Sequence, residues 1–253
     1  MIEAHHRGAV HVVQFTHGKV NALDVELAAT LAGAVEAAGN QSGSRAIVLT
    51  GGGSAFSAGV DLKRYVAEDG AYADRLLDAL DRLFDAIYCC PKPIVAAING
   101  HALAGGMVIA AACDLRVMAQ GRGRIGVPEI AAGVPFPWIA LEITRAAVSP
   151  EHLPELVALG ATFATDEALR RGLVQQLAEP AELIDRAVAL AEQLGHNAGP
   201  AFDLQRQQLR GPAMADPRRA THDAQVRDVW RREETRARVR EYLSRLGAAE
   251  GRP

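Results

Sequence analysis

The chain has little lysine, little cysteine and few aromatics, and each scarcity narrows what it does. Lysine stands only at positions 19, 63 and 92, so the basic residues are almost all arginine, which we read as codon bias. The three cysteines, Cys89, Cys90 and Cys113, are odd in number and not spaced as zinc ligands. They read as small hydrophobes in a reducing compartment, and no metal site is expected. Aromatics make up 5% and are not interleaved with basic residues, and the net charge is −3, so nothing favours nucleic acid. No run of 18 apolar residues occurs, and no membrane span is expected. The start, MIEAHHRGAV, lacks the basic-then-apolar order of a secretory leader, which points to the cytoplasm. Neither GxxxxGK[ST] nor the spacing of a dinucleotide fingerprint is present.

What is present is enough for a full core: 253 residues, 49% hydrophobic. Ala9–Thr16 alternates as a strand, and Asp24 is placed to cap a helix striped by Leu27, Leu31 and Val35. RAIVLT, residues 45–50, is the continuous apolar run of a strand buried on both faces. Tyr72, Leu76, Leu80, Leu83 and Ile87 stripe a long helix. Ser149-Pro150 reads as a cap with proline at the first helical position, for a helix running to Gly160. Further helices are expected from Thr165 and Pro180, with a short strand between them at 174–177. Strands alternate with helices over the first two thirds, an α/β pattern, and the last quarter reads as purely helical. Charge divides the same way: residues 204–253 hold 12 Arg against 7 acids, while residues 1–203 carry −8. Arginines interleaved with acids on helices read as a solvated, ion-paired surface. His5 and His6 are expected at a mobile end.

Two glycine turns stand out. One is FSAGVDLK, residues 56–63. The other lies in KPIVAAINGHALAGGMVIAAACDLRV, residues 92–117, where a strand turns at Asn99-Gly100 and a helix starts at Gly105-Gly106. Amides at a helix N-terminus lack intrahelical partners and carry partial positive charge, so such a turn can hold an oxygen.

With VNALD at 20–24, AIVLTGGGSAFSAGVDLK at 46–63, KPIVAAINGHALAGG at 92–106, ACDLRV at 112–117, GVPEIAAGVPFP at 126–137 and ATDEALRRGLVQQL at 164–177, the chain closely resembles the crotonase (enoyl-CoA hydratase/isomerase) superfamily. The resemblance implies a spiral of ββα units over residues 1–195 and a C-terminal helical trimerisation region over 196–253. It implies trimers or hexamers and an acyl-CoA thioester as substrate, with coenzyme A part of that substrate and no separate cofactor. It places the thioester oxygen between the amides of Val60 and Gly105. It puts Ala22, Ala58, Val60, Asp61, Leu62, Lys63 and Gly105 along the coenzyme groove, with Lys63 available to a phosphate.

The hydratases of this family carry two glutamates. One position is filled here by Glu129, and the other, three residues past Gly105, is Val108. Adding water needs that water held and deprotonated, which valine cannot do. Moving a double bond from C3 to C2 needs only one base, and the pattern is similar to the single-glutamate Δ3,Δ2-enoyl-CoA isomerases. Glu129 is therefore expected to shuttle the proton. A weak hydratase and a non-catalytic acyl-CoA binder stay open as alternatives. Asp61 and Asp114 read as backbone anchors, and His101 as a packing or solvent residue. Phe136 and Trp138 either shape the acyl pocket or pack in the core.

Overall fold

The computed structural model describes residues 1–250, and the last three positions of the expected helical region lie outside them. Ten strands occur among the described residues: β1 (Ile2–Arg7), β2 (Val10–Phe15), β3 (Ala46–Gly51), β4 (Ala55–Ser57), β5 (Ile94–Ile98), β6 (His101–Leu103), β7 (Leu115–Ala119), β8 (Arg124–Gly126), β9 (Thr162–Ala164) and β10 (Gln176–Ala178). A large sheet runs in the order β1-β2-β3-β5-β7-β10, parallel except for the β1–β2 hairpin. A small sheet runs β4-β6-β8-β9.

The helices are α1 (Val25–Asn40), α2 (Leu62–Ala67), α3 (Gly70–Tyr88), α4 (Gly105–Ala112), α5 (Glu129–Ala132), α6 (Trp138–Ala147), α7 (Thr165–Arg170), α8 (Leu183–Asn197), α9 (Pro200–Met214), α10 (Arg218–Arg231) and α11 (Glu233–Glu250). The large sheet is apolar on both faces because both are covered. Val10, Val12, Ala46, Val48, Val95 and Ala97 cluster with Ala187, Val188 and Ala191 of α8. The alternate residues Val13, Phe15, Ile47, Leu49, Ile94 and Ala96 join the main core beside α1, α3 and α4. Side chains alternate with a period of two along a strand, so RAIVLT reads as one apolar run only because each face meets helices.

Three times the chain repeats one device: a strand of the large sheet, a short strand of the small sheet, then a helix. β3, β4 and α2 form the first unit, β5, β6 and α4 the second, β7, β8 and α5 the third. The small strands pair in parallel, Ser57 with Ala102, and Leu103 with Gly126. The register shifts once between Ala55 and Ser57, and the parallel pairing brings the residues just beyond the three strands into one neighbourhood.

The arginine-rich tail folds back on its own chain. Arg206 of α9 donates to the Cys90 carbonyl at 2.6 Å, and Arg210 grips both the Tyr88 carbonyl and, at 2.8 Å, Asp114. These cations satisfy carbonyls left open at the end of α3. Along α10, Arg219, Arg227 and Arg231 pair with Asp85, Asp78 and Asp74 of α3 at 2.8, 2.6 and 2.8 Å. The split of charge along the sequence thus closes within one molecule. Asp114 also accepts from the Ile94 amide at 2.8 Å, and His101 accepts from the Arg124 amide at 3.2 Å, as anchoring and packing residues do.

Two expectations are corrected. His5 and His6 do not form a loose end but belong to β1, paired across the Gly8 turn with β2, where His6 stacks on His11 at 4.7 Å. Ser149-Pro150 does not start an α-helix. The chain makes tight turns there, and π-helical winding spans Pro154–Ala158. Pro154 has no N–H to give to the preceding turn, so an α-helical ladder cannot pass through it.

Beneath α10, the Asp81 carboxyl faces Asp223 and Asp85 as well as Arg219 and Arg227, and its Oδ1 is buried without a hydrogen-bond partner among the described residues. Burial, then the charges of Asp223 and Asp85, push it from 3.8 up to about 7, against the pull of the arginines. The folded chain keeps this proton where the unfolded chain has released it. The stabilising contribution is therefore full below about pH 4 and lost as pH rises through 7. Asp81→Asn is expected to raise stability by about 1–2 kcal/mol at pH 8 and to change it little at pH 4, measured by urea unfolding. A variant weaker than the parent at pH 8 would contradict this placement.

Candidate active site

Each of the three ββα units ends at a residue singled out by the sequence. Val60 lies between β4 and α2, Gly105 opens α4, and Glu129 opens α5. The first two turns touch. Gly59 has φ +81, and a methyl group placed on it would come within 2.5 Å of the Ala104 Cβ and 3.1 Å of the Gly105 nitrogen. Glycine is required there both by its backbone angle and by that contact. Leu23 clamps the turn from the other side: its N–H donates to the Gly59 carbonyl at 2.7 Å, and its carbonyl accepts from the Asp61 amide at 2.9 Å.

Among the described residues neither the Val60 amide nor the Gly105 amide has an acceptor. Ala104, just before α4, adopts φ 54 and ψ −130, a strained region for any residue with a Cβ. No side chain caps α4, so its dipole and free amides face the turn. Two unpartnered donors side by side suit an oxygen that becomes negative during a reaction.

Glu129 is the first residue of a single helical turn, closed by Gly133, whose amide donates to the Glu129 carbonyl at 2.9 Å. Its carboxyl oxygen Oε2 is buried with no partner among the described residues, and burial pushes the group from 4.5 up to about 8. Among the described residues no cation pairs with it. Tyr242 of α11 lies close by, its phenol pushed up first by burial and then by the charge of Glu129.

These groups face a cavity of about 600 Å³. Ala22, Ala58, Val60, Asp61, Leu62, Lys63 and Glu129 all line it. Gly105 is buried directly behind the lining residue Ala104. Asp61 also caps α2, accepting from the Arg64 amide at 2.9 Å. His17, Lys19 and Lys63 supply polar and cationic lining, while Val134, Trp230, Tyr242, Leu243 and Leu246 supply apolar wall. Val108 is 1% exposed and packs in the core. Phe136 and Trp138 are not part of the lining, and Trp138 instead donates to the Ala213 carbonyl at 3.1 Å and packs on His222. Among the described residues no three His, Cys, Asp or Glu side chains gather as metal ligands.

The tail's share of the wall was not anticipated from sequence. Trp230 is held by an N–H bond to the Pro135 carbonyl at 3.1 Å and an edge contact with Tyr65 at 4.9 Å. Tyr242, Leu243 and Leu246 do form an apolar stripe at helical spacing, but such a stripe does not say which groove it covers. His17 and Lys19 sit in a loop with no local signal at all.

A family model described as enoyl-CoA hydratase/isomerase matches residues 5–241. A Thermus thermophilus protein that carries a provisional enoyl-CoA hydratase name is 39% identical over 75% of each chain. The short-chain-enoyl-CoA hydratase of Clostridium acetobutylicum is 31% identical over 83% of this chain and 80% of its own. Among solved structures, the human mitochondrial delta3-delta2-enoyl-CoA isomerase superposes with a TM-score of 0.87 at 26% identity, over 99% of both chains.

The buried carboxyl makes a prediction about stability. In the unfolded chain Glu129 ionises above 4.5, whereas the folded chain holds the proton to about 8. Its contribution is full below 4.5 and is lost as pH rises through 8. Glu129→Gln is expected to be more stable than the parent at pH 8, by on the order of 2 kcal/mol, and nearly equal at pH 4. Thermal or denaturant unfolding at the two pH values measures it, and equal stability at pH 8 would show that the carboxyl is solvated.

Proposed function

The chain belongs to the enoyl-CoA hydratase/isomerase family, and from that premise we propose that it moves the double bond of a 3-enoyl-CoA to the 2-position with Glu129 as the one proton carrier. The observation that carries this reading is the Glu129 carboxyl in the cavity, whose Oε2 has no partner among the described residues, with buried hydrocarbon at Val108 where the family's hydratases hold a second glutamate.

The chemistry follows from the donors and the base. The thioester oxygen accepts from the Val60 and Gly105 amides. Ionised Glu129 takes a proton from C2, and the electrons of that C–H bond spread into a dienolate whose charge rests on the thioester oxygen. Two preformed amides and the α4 dipole stabilise that oxygen more than the neutral carbonyl, which lowers the barrier. The protonated Glu129 then returns the proton at C4, and the double bond closes between C2 and C3. Nothing is added or lost, so one base suffices. A carboxyl near 8 is a stronger base than an ordinary one and can still give its proton back.

His17, Lys19 and Lys63 are the groups available to the phosphates of the coenzyme, and the apolar wall from Val134 to Leu246 is available to the acyl chain. The match to the human isomerase across the whole tail supports this reading. The hydratase names of the relatives favour the second reading, a hydratase that works without the second carboxylate. In either case a trimer or hexamer is expected, and Leu204 and Leu209 of α9 are exposed apolar side chains available for subunit contact.

Incubation with a 3-enoyl-CoA and, separately, a 2-enoyl-CoA separates the readings. Double-bond migration is expected to dominate and to fall by about 10³-fold or more in Glu129→Gln. Its kcat/KM is expected to rise with pH and level off above about 8, the range to which burial moves Glu129. Hydration that survives Glu129→Gln would overturn the single-base mechanism, and tight binding without turnover of either thioester would make the protein a carrier.

A further inference from the structure

Asn21 is fully buried and sits at φ 51, one of only two residues other than glycine with positive φ among those described. Its side chain is heavily committed. Nδ2 donates to the carbonyls of Gly52, Ala55 and Phe56 at 2.9, 2.8 and 3.2 Å, and Oδ1 accepts from the His17 amide at 2.7 Å. Its own carbonyl accepts from the Ser57 hydroxyl at 2.7 Å. That hydroxyl in turn accepts from the Gly59 amide at 3.1 Å. The series ends one residue short of the Val60 donor. Ser57 also meets the second turn, because a Cβ on Gly106 would overlap the Ser57 carbonyl oxygen. One serine therefore bonds to the turn before Val60 and bears against the start of α4.

We propose that Asn21 and Ser57 are positioning residues that set the direction of the Val60 amide and its spacing from the Gly105 amide. The inference rests on the enolate reading given above, since it concerns the same two donors. Neither side chain touches the reacting atoms. Their effect is on how well two amides converge on one oxygen, which matters more as charge builds on that oxygen than while it is neutral. A small misdirection of one donor costs rate while leaving ground-state binding nearly intact. The left-handed backbone at Asn21 and its unusually full set of bonds are what such a fixed geometry requires.

The test uses the carbonyl stretch of a saturated acyl-CoA, labelled with carbon-13 at the thioester carbon and bound to the full-length protein. Difference infrared spectra of the parent are expected to show the stretch lowered on binding. In Ser57→Ala, which removes one hydroxyl, and in Asn21→Ser, that lowering is expected to shrink. KM is expected to change less than about threefold, while kcat falls by about 10–100-fold. Asn99→Ala is the comparison, since Asn99 donates to the Gly53 and Ala55 carbonyls of the same loop at 2.9 and 3.3 Å but not to the turn at Val60. It is expected to lower the melting temperature and leave the carbonyl stretch as in the parent. Should Asn21→Ser fail to fold, Ser57→Ala alone decides. A folded Ser57→Ala with parental kcat and parental stretch overturns the proposal, as does an equal loss of the shift in Asn99→Ala. A parent protein that binds the thioester without lowering its stretch overturns the enolate reading itself, and with it the roles of Asn21 and Ser57.

Discussion

Where Ser57 pairs with Ala102 and Leu103 with Gly126, three short strands lie side by side in parallel, and the groups proposed to carry the chemistry lie just past their ends. Strand pairing fixes position to within a residue, and a slip of one would turn each side chain to the opposite face. Because β6 pairs with both β4 and β8, Val60 and Glu129 line one cavity from separate units, with Gly105 just behind the lining residue Ala104. The proposed donors are main-chain amides, which a valine side chain at 60 leaves in place. What is not free is the backbone around them: Gly59 at φ +81 and Ala104 at φ 54 are conformations that the rest of the fold must hold in place.

The site is built against local stability. Among the described residues two amides lack acceptors, Ala104 is strained, and one carboxyl oxygen of Glu129 is buried without a partner. Each is unfavourable in isolation, and such features persist where the surrounding structure over-determines them. Here that surrounding structure is the large sheet with helices on both faces, together with a tail clasped by arginines to α3, to the Cys90 carbonyl beyond it and to Asp114. The tail also completes the cavity with Trp230 and Tyr242, so the arginine clasps on α10 position part of the wall.

The parts of this arrangement that were legible in the sequence are those set by local chemistry. Asp24 caps α1 by accepting from Leu27 N at 2.8 Å, and Asp61 caps α2, both as their residue types and positions imply. The two glycine turns fall where the spacing put them, and RAIVLT is a strand covered on both sides. What was not legible depends on distant partners or on a missing donor. β1 is mostly exposed, and its histidines give no apolar alternation to read. The π-helical winding opens at Pro154, in a segment whose residues otherwise look helical. The wall formed by Trp230, Tyr242 and Leu246 comes from helices more than a hundred residues beyond Val60, brought back by ion pairs that no local pattern encodes. Asn21 stands in sequence as one residue of VNALD, and its role shows only once its six hydrogen bonds are seen together.

The central claim is that two backbone amides and one glutamate together make and hold an enolate. Proton exchange at C2 of a saturated acyl-CoA tests this without requiring any double bond to move. With the protein in heavy water, proton NMR is expected to show deuterium entering one of the two C2 positions, and no uptake with Glu129→Gln. A thioester that binds but never exchanges, or exchange undiminished in Glu129→Gln, would contradict it.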